Sequence, residues 1–305
     1  MSGDNELLAR LRNEQFAVVD DFLSLEFANK LLRSSQELIK SNAFKQHRFS
    51  FGGSLLEKPG VFEIDLSGPT CSKMPSGLGA WNDVVNDFAP SFVKRLAVDN
   101  ALALKSGTPA IKVQLNTGGG SFPWHYDNPG PPSERSLTCI VYLNPNWTPG
   151  DGGELVLWPF LSKQIVVPPL HARAVLFRSD TVLHRVLPSK VRRLCFTMWC
   201  PGNAVNRQSD VLLSKDVLQF RSYDEAQAFF CQSPLQRVLS RAVYSEDYLE
   251  SLLECVENES GHEKISLQLK RSLVQQHENN VNQIMVKLRP LIQEFRERKT
   301  RREIS

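Results

Sequence analysis

The chain has 305 residues, 41% of them hydrophobic and 23% charged, which fits a globular protein with one sizeable core plus an appendage and excludes disorder of the whole chain. Its formal net charge is only +3, and the nearest thing to a charge block sits at the far end, at Arg296, Arg298, Lys299, Arg301 and Arg302, where a solvated helix end explains it as well as contact with RNA, a ribosome or an acidic partner, so no nucleic-acid footprint over the main body is indicated. No stretch reaches membrane-spanning length, and the opening MSGDNELLARLRNEQF mixes acids and bases among its leucines; an intracellular protein of cytoplasm or nucleus, without a membrane partner, is the expectation.

In chain order, residues 16–20 form a short apolar run, and Leu25, Ala28, Leu31, Leu32 and Ile39 then recur at helical spacing behind Ser24, which predicts a strand followed by a capped helix. From residue 49 to about 77 the segment RFSFGGSLLEKPGVFEIDLSGP and its continuation are rich in Gly, Ser and Pro. This predicts a long hairpin or loop rather than core, and a place for substrate contacts. Between residues 111 and 199 the runs IKVQL, LTCIVYL, ELVLW, QIVV, RAVLF and RLCFTMW alternate with turn residues at the spacing of an antiparallel β-sandwich or jelly roll. Beyond about Arg207 the period is helical. Ser222 to Glu225 fits a capping box, two apolar stripes follow (Tyr248, Leu249, Leu252, Leu253, Val256; Val281, Ile284, Met285, Leu288), and Pro290 should kink or end the last helix. The six cysteines include no C-x-x-C pair and read as reduced thiols. The expected fold is mainly β: a jelly-roll core with flanking N-terminal helices and an α-helical C-terminal extension, divided into residues 1–205 (core 111–200) and 206–305.

His125-Tyr-Asp127 lies where a strand-like segment meets a Pro/Gly-rich loop. In extended backbone, residues i and i+2 face one side, so both side chains can reach one ion. His184 opens another short run 57 residues later. Two histidines and a carboxylate on one face leave open positions on an octahedral metal, which suits Fe(II) that must bind a bidentate 2-oxo acid and then O2. The tripeptide alone is too short to identify a site; Arg193 adds weight. It starts the strand RLCFTMW, whose period groups Arg193, Cys195, Thr197 and Trp199 on one face and Leu194, Phe196 and Met198 on the other. A guanidinium turned into a barrel needs an anion, and a carboxylate is its bidentate match. Tyr142, grouped with Thr138 and Ile140 on LTCIVYL, can add a hydroxyl.

From about residue 111 to 200 the chain resembles the prolyl 4-hydroxylase branch of the 2-oxoglutarate dioxygenases, especially the hypoxia-type prolyl hydroxylases; HYDNPG, LTCIVYLNPNW, GGELVLWP and SDTVLHRVLPSKVRRLCFTMW carry the likeness. The resemblance implies a double-stranded β-helix with iron on His125, Asp127 and His184, and with 2-oxoglutarate held by Arg193, Tyr142 and Thr197. It further implies O2 as cosubstrate, ascorbate as reductant, and a target proline in a protein or peptide partner, hydroxylated with release of succinate and CO2. Where the hypoxia-type enzymes carry a cosubstrate-supporting tyrosine ten residues before the first iron ligand, this chain has Leu115, so the pocket is expected to lack that hydroxyl.

The alternatives are an oxygenase of another protein side chain, a small molecule or nucleic acid, or a non-catalytic binding module. Alkylated-base demethylases need a second arginine where Trp199 stands, a halogenase would lack Asp127, and a binding module would be expected to have lost a ligand. Arg135 matches a family position near the substrate mouth but in its own context reads as a surface residue. His47, His171, His262 and His277 receive no role. The sequence leaves oligomeric state open.

Overall fold

The computed structural model describes residues 2–51, 54–67, 79–202, 220–257 and 267–304. The N-terminal part runs α1 (Ser2–Asn13), β1 (Phe16–Val19), α2 (Leu25–Lys40), β2 (Lys45–Phe51) and β3 (Ser54–Asp65). A helical stretch follows, α3 (Ala80–Asp83) continuing through a π turn at Val84–Phe88 into α4 (Ala89–Leu96). The β region comprises β4 (Ala110–Asn116), β5 (Phe122–His125), β6 (Arg135–Tyr142), β7 (Leu155–Pro159), β8 (Ile165–Val167), β9 (Ala174–Arg178), β10 (Val182–Val186) and β11 (Arg193–Pro201). Last come α5 (Tyr223–Gln232), α6 (Gln236–Val243), α7 (Ser245–Glu257) and α8 (Leu267–Ile304). No helix among these is long and apolar enough to cross a membrane.

Two antiparallel sheets carry the jelly roll, a major sheet ordered β1-β9-β6-β11-β4-β3-β2 and a minor sheet ordered β5-β10-β7-β8. The two-residue period of β6 and β11 decides what each face meets. Leu137, Cys139, Val141, Leu194, Phe196 and Met198 turn outward to a helical layer that supplies Leu31, Trp81 and Phe92. Ile140, Tyr142 and Cys195 turn inward against Leu157, Phe177 and Val182. A third cluster covers the minor sheet's other side, where Trp124, Trp158 and Leu183 pack on Phe230, Leu239, Tyr244 and Phe295 of the C-terminal helices. Of the extension's stripes, Tyr248 and Leu288 are buried there and Val281, Ile284 and Met285 partly buried, and the boundary at residues 205 and 206 lies outside the described residues.

The caps form as the sequence predicts: the Ser24 hydroxyl accepts from the Phe27 amide and the Ser222 hydroxyl from the Glu225 amide, both at 3.2 Å. Two residues ahead of Pro290, Leu288 leaves helical geometry (φ −129°, ψ 20°), which is the kink expected where proline removes a backbone donor and crowds the preceding turn.

Three expectations need correction. The 49–77 segment is a hairpin, yet Val61, Ile64 and Leu66 of it are buried, because β3 pairs with β4 from Val61↔Asn116 to Asp65↔Lys112 and so joins the major sheet; residues 68–77 lie outside the described residues. The basic end of α8 is not merely solvated. Arg296 donates to the Ala242 carbonyl, Arg298 pairs with Glu294 and Asp224, and Lys299 pairs with Asp247 while lying over the Trp158 ring.

Leu115 does not face a cosubstrate pocket. On β4 the inward position opposite Cys195 is Gln114, whereas Leu115 sits opposite Leu194 and joins the helix-facing cluster at 7% exposure. Leu115→Tyr should therefore force a hydroxyl and extra volume into a filled core and cost about 1–3 kcal/mol, read as a lower Tm with no gain in 2-oxoglutarate affinity. Tighter cosubstrate binding would show that β4 is turned the other way.

Candidate active site

The phase of two paired strands builds the centre of the site. β10 crosses β5 with His184 directly opposite His125, so the two imidazoles lie side by side with ring centroids 4.2 Å apart. Each ring is oriented from behind: His125 Nδ1–H donates to the Pro123 carbonyl at 2.8 Å and His184 Nδ1–H to the Val182 carbonyl at 3.2 Å. That leaves each Nε2 as a lone pair aimed at Asp127, with its Oδ1 3.7 Å from His125 and 3.8 Å from His184. These separations exceed hydrogen-bond reach but suit three donors around one ion at about 2 Å from each. Among the described residues, this trio is the group of His, Cys, Asp or Glu side chains able to hold a metal.

The second carboxylate oxygen is engaged elsewhere. Thr138 donates to Asp127 Oδ2 at 2.7 Å and the Trp199 indole N–H at 3.0 Å, so the carboxylate cannot rotate without breaking one of them. The loop after it is pinned by Asn128, whose amide nitrogen donates to the Arg135 carbonyl and whose side-chain oxygen accepts from the Gly130 amide. Burial opposes the Asp127 charge, but the two imidazoles and these hydrogen bonds hold its carboxyl below the usual range. Burial lowers the proton affinity of both histidines, and the neighbouring His184 helps push His125 down to about 3. An anion beside two neutral imidazoles is the protonation state in which all three bind metal.

A cleft of about 440 Å³ opens onto this trio. Thr197 and Trp199 line one wall, Phe122 and Pro123 another, and Ile140 and Val186 are also among its lining. Leu252 and Cys255 of α7 and Leu273 of α8 complete it, so the C-terminal helices reach the site. Arg193 and Tyr142 lie together between the sheets, outside the cleft's lining, with the guanidinium carbon 5.1 Å from the Tyr142 ring centre. Arg193 is 1% exposed and, among the described residues, has no carboxylate partner; its Nε donates to the Gly153 carbonyl at 2.7 Å and one Nη to the Cys195 thiol at 3.3 Å. Gly153 adopts φ +77°, and a Cβ there would stand 2.7 Å from the Arg193 side chain, which explains why glycine occupies this turn. The Tyr142 hydroxyl is buried without a well-formed hydrogen bond. A buried hydroxyl beside a guanidinium that has no carboxylate partner among the described residues matches what an incoming carboxylate requires.

The structure thus joins His125, Asp127, His184 and Thr197 in the cleft and sets Arg193 and Tyr142 behind it. Arg135 is not a free surface residue: it stacks over the Trp199 ring at 4.3 Å, donates to the Asp127 carbonyl and lines the cleft. Sequence reasoning also passed over Gln114, Lys58 and His47, all in the lining. His47 donates to Glu63 at 2.8 Å, and Lys112 reaches the other oxygen of Glu63 at 2.7 Å. Burial works against that carboxylate, yet the hydrogen bonds from His47 and Lys112 take it down to about 2. Burial drops the Lys58 ammonium to about 8. His171 hydrogen-bonds Asn29 of α2, away from the trio.

Residues 111–201 match the family model described as the 2OG-Fe(II) oxygenase superfamily. No curated protein sequence matches the chain significantly. Among solved structures, one of the prolyl 4-hydroxylases from Phytophthora capsici is 33% identical over 97% of this chain and 92% of its own, with a TM-score of 0.76; a match of that coverage takes in most of the C-terminal helices. A Pseudomonas putida prolyl-4-hydroxylase is 19% identical over 66% of this chain and 100% of its own (TM-score 0.53). A Trichoplax adhaerens prolyl hydroxylase, in complex with a hypoxia inducible factor oxygen degradation domain peptide fragment, is 23% identical over 66% and 90% (TM-score 0.54). The last two share the fold.

Thr138 makes no contact with the ion position itself, so its replacement isolates the support of Asp127. Thr138→Val should weaken Mn(II) or Fe(II) binding roughly 10–100-fold in a metal titration, with the fold retained by circular dichroism. Unchanged affinity would mean that Trp199 alone orients the carboxylate.

Proposed function

This chain belongs to the 2OG-Fe(II) oxygenase superfamily, in its prolyl 4-hydroxylase branch, and from that membership and the cleft we infer that it hydroxylates a prolyl residue of a polypeptide substrate. The observation that carries the reading is the convergence of His125 Nε2, His184 Nε2 and Asp127 Oδ1 on one point, each already oriented by a partner behind it. The three side chains would hold the Fe(II). Bound there, the iron would supply O2 activation coupled to decarboxylation of 2-oxoglutarate to succinate and CO2.

The chain's own residues do the rest. Arg193 exchanges its thiol contact for the distal carboxylate of 2-oxoglutarate, the Tyr142 hydroxyl donates to the same group, and Thr197 offers a further hydroxyl from the cleft wall. The apolar wall of Phe122, Pro123, Ile140 and Val186 excludes water from the reacting position. The helical unit of residues 206–305 contributes to substrate choice, supported by Leu252, Cys255 and Leu273 in the lining. Ascorbate as reductant follows from the resemblance to the prolyl 4-hydroxylase branch. Intracellular residence is supported by Cys139, Cys195, Cys200, Cys231 and Cys255, all free thiols.

Two measurements test this. Arg193→Ala should raise the dissociation constant for 2-oxoglutarate by an amount equivalent to about 2–5 kcal/mol, whereas exposed Arg192→Ala should leave it within twofold; equal effects would mean the wrong arginine is named. Mass spectrometry of peptides from cells with and without the gene should reveal a 4-hydroxyproline present only with it, restored by the wild type and not by His184→Ala. Oxidation confined to other residue types would overturn the choice of proline.

A further inference from the structure

The cleft holds one charge that nothing described balances. Lys58, on β3, is 8% exposed, and among the described residues its ammonium has no carboxylate partner; the face of the Phe122 ring lies 3.9 Å away and the Cys255 thiol is close enough to act on its charge. The neighbouring cations are engaged: Lys112 pairs with Glu63, and Arg135 lies over Trp199 and donates to the Asp127 carbonyl. Glu63, in the same lining, already accepts from both His47 and Lys112. The ammonium lies close enough to the trio for its charge to lower the proton affinity of His125.

A largely buried ammonium that opens only onto the cleft and lacks a counter-ion is costly, and an anionic group entering the cleft would supply the missing charge. The cosubstrate's distal carboxylate already has Arg193 and Tyr142, and Asp127 is turned to the imidazoles. We propose that Lys58 is a specificity-determining residue that receives an acidic side chain of the polypeptide substrate, next in sequence to the oxidised residue or within two or three positions of it. This rests on the reading of the chain as a polypeptide oxygenase. The Phe122 ring holds the ammonium in place from one side by a cation–π contact and leaves its other donors facing the cleft.

The test uses the full-length, Fe(II)-loaded enzyme and a synthetic heptapeptide library with blocked ends, varied at every position including the centre, and reads each oxidised product by mass spectrometry. Wild type should oxidise peptides with Asp or Glu at one flanking position in preference to Asn or Gln. Lys58→Met should lower kcat/KM on the best acidic peptide roughly tenfold or more, as expected for a lost buried charge pair, with a much smaller change on its amide counterpart. Lys58→Glu should transfer the preference to Lys or Arg, and Lys58→Arg should retain acidic selection, which controls for loss of fold. Products without acidic selection in wild type, or the same selection in Lys58→Glu, overturn the assignment while leaving polypeptide oxidation intact. A larger effect of Lys58→Met on the 2-oxoglutarate dissociation constant than on the peptide also overturns it, since the lysine would then serve the cosubstrate. No oxidised peptide at all sinks polypeptide oxidation, and this inference with it.

Discussion

The site depends on how one carboxylate is divided. Asp127 gives one oxygen to Thr138 and Trp199 and keeps the other for the space between two imidazoles. Because the two donors sit on β6 and β11, the direction of that free oxygen is set by the pairing of those strands, in which Thr138 lies directly opposite Trp199. A single register choice in the major sheet thus aims a group that serves strands of the minor sheet. A slip of one residue in either strand would turn that strand's donor to the helical layer and strip the buried carboxylate of one of its hydrogen bonds.

The three apolar clusters follow from the same alternation. Outward residues of β6 and β11 meet the N-terminal helices, inward residues meet the minor sheet, and the minor sheet's far side meets the C-terminal helices. Two of the polar groups inside are held by partners. Arg193 leans on the Gly153 carbonyl in a turn that only glycine fits, and Thr138 satisfies both Asp127 and Ser179.

Much of this was legible in the sequence, where the evidence was local. His125 and Asp127 stand two residues apart where a strand runs into a loop, Arg193 alternates with Leu194, and Ser24 and Ser222 precede helical periods; each of these needs only neighbours to be read. What escaped depended on distant pairing. β5 is four residues long and contains Pro123, so its strand character comes from β10 rather than from its own propensity. β10 begins at Val182, two residues before the histidine that its hydrophobic run seemed to start with. Counting back from His125 put Leu115 in the tyrosine's place, but the phase of β4 is fixed by β11, which turns Gln114 inward instead. Lys58 and His47 enter the cleft because β3 pairs with β4, a partner some fifty residues away that no periodicity announces.

The residues on either side of the proposed iron ligands face the other way, and their contacts have a thermodynamic meaning. Trp124 packs among the C-terminal helices and its amide donates to Ser251 of α7; Tyr126 donates to Gln236 of α6; Leu183 packs on the same helices, and Arg185 pairs with Glu254. Each histidine is therefore carried on a strand whose reverse side is fastened to the helical unit. Two equilibria that share such strands cannot be independent: whatever docked helices contribute to holding the ligands in position, an ion seated between those ligands must return to the docking. The helices and the metal, which share no bond, are coupled through the thickness of a single sheet.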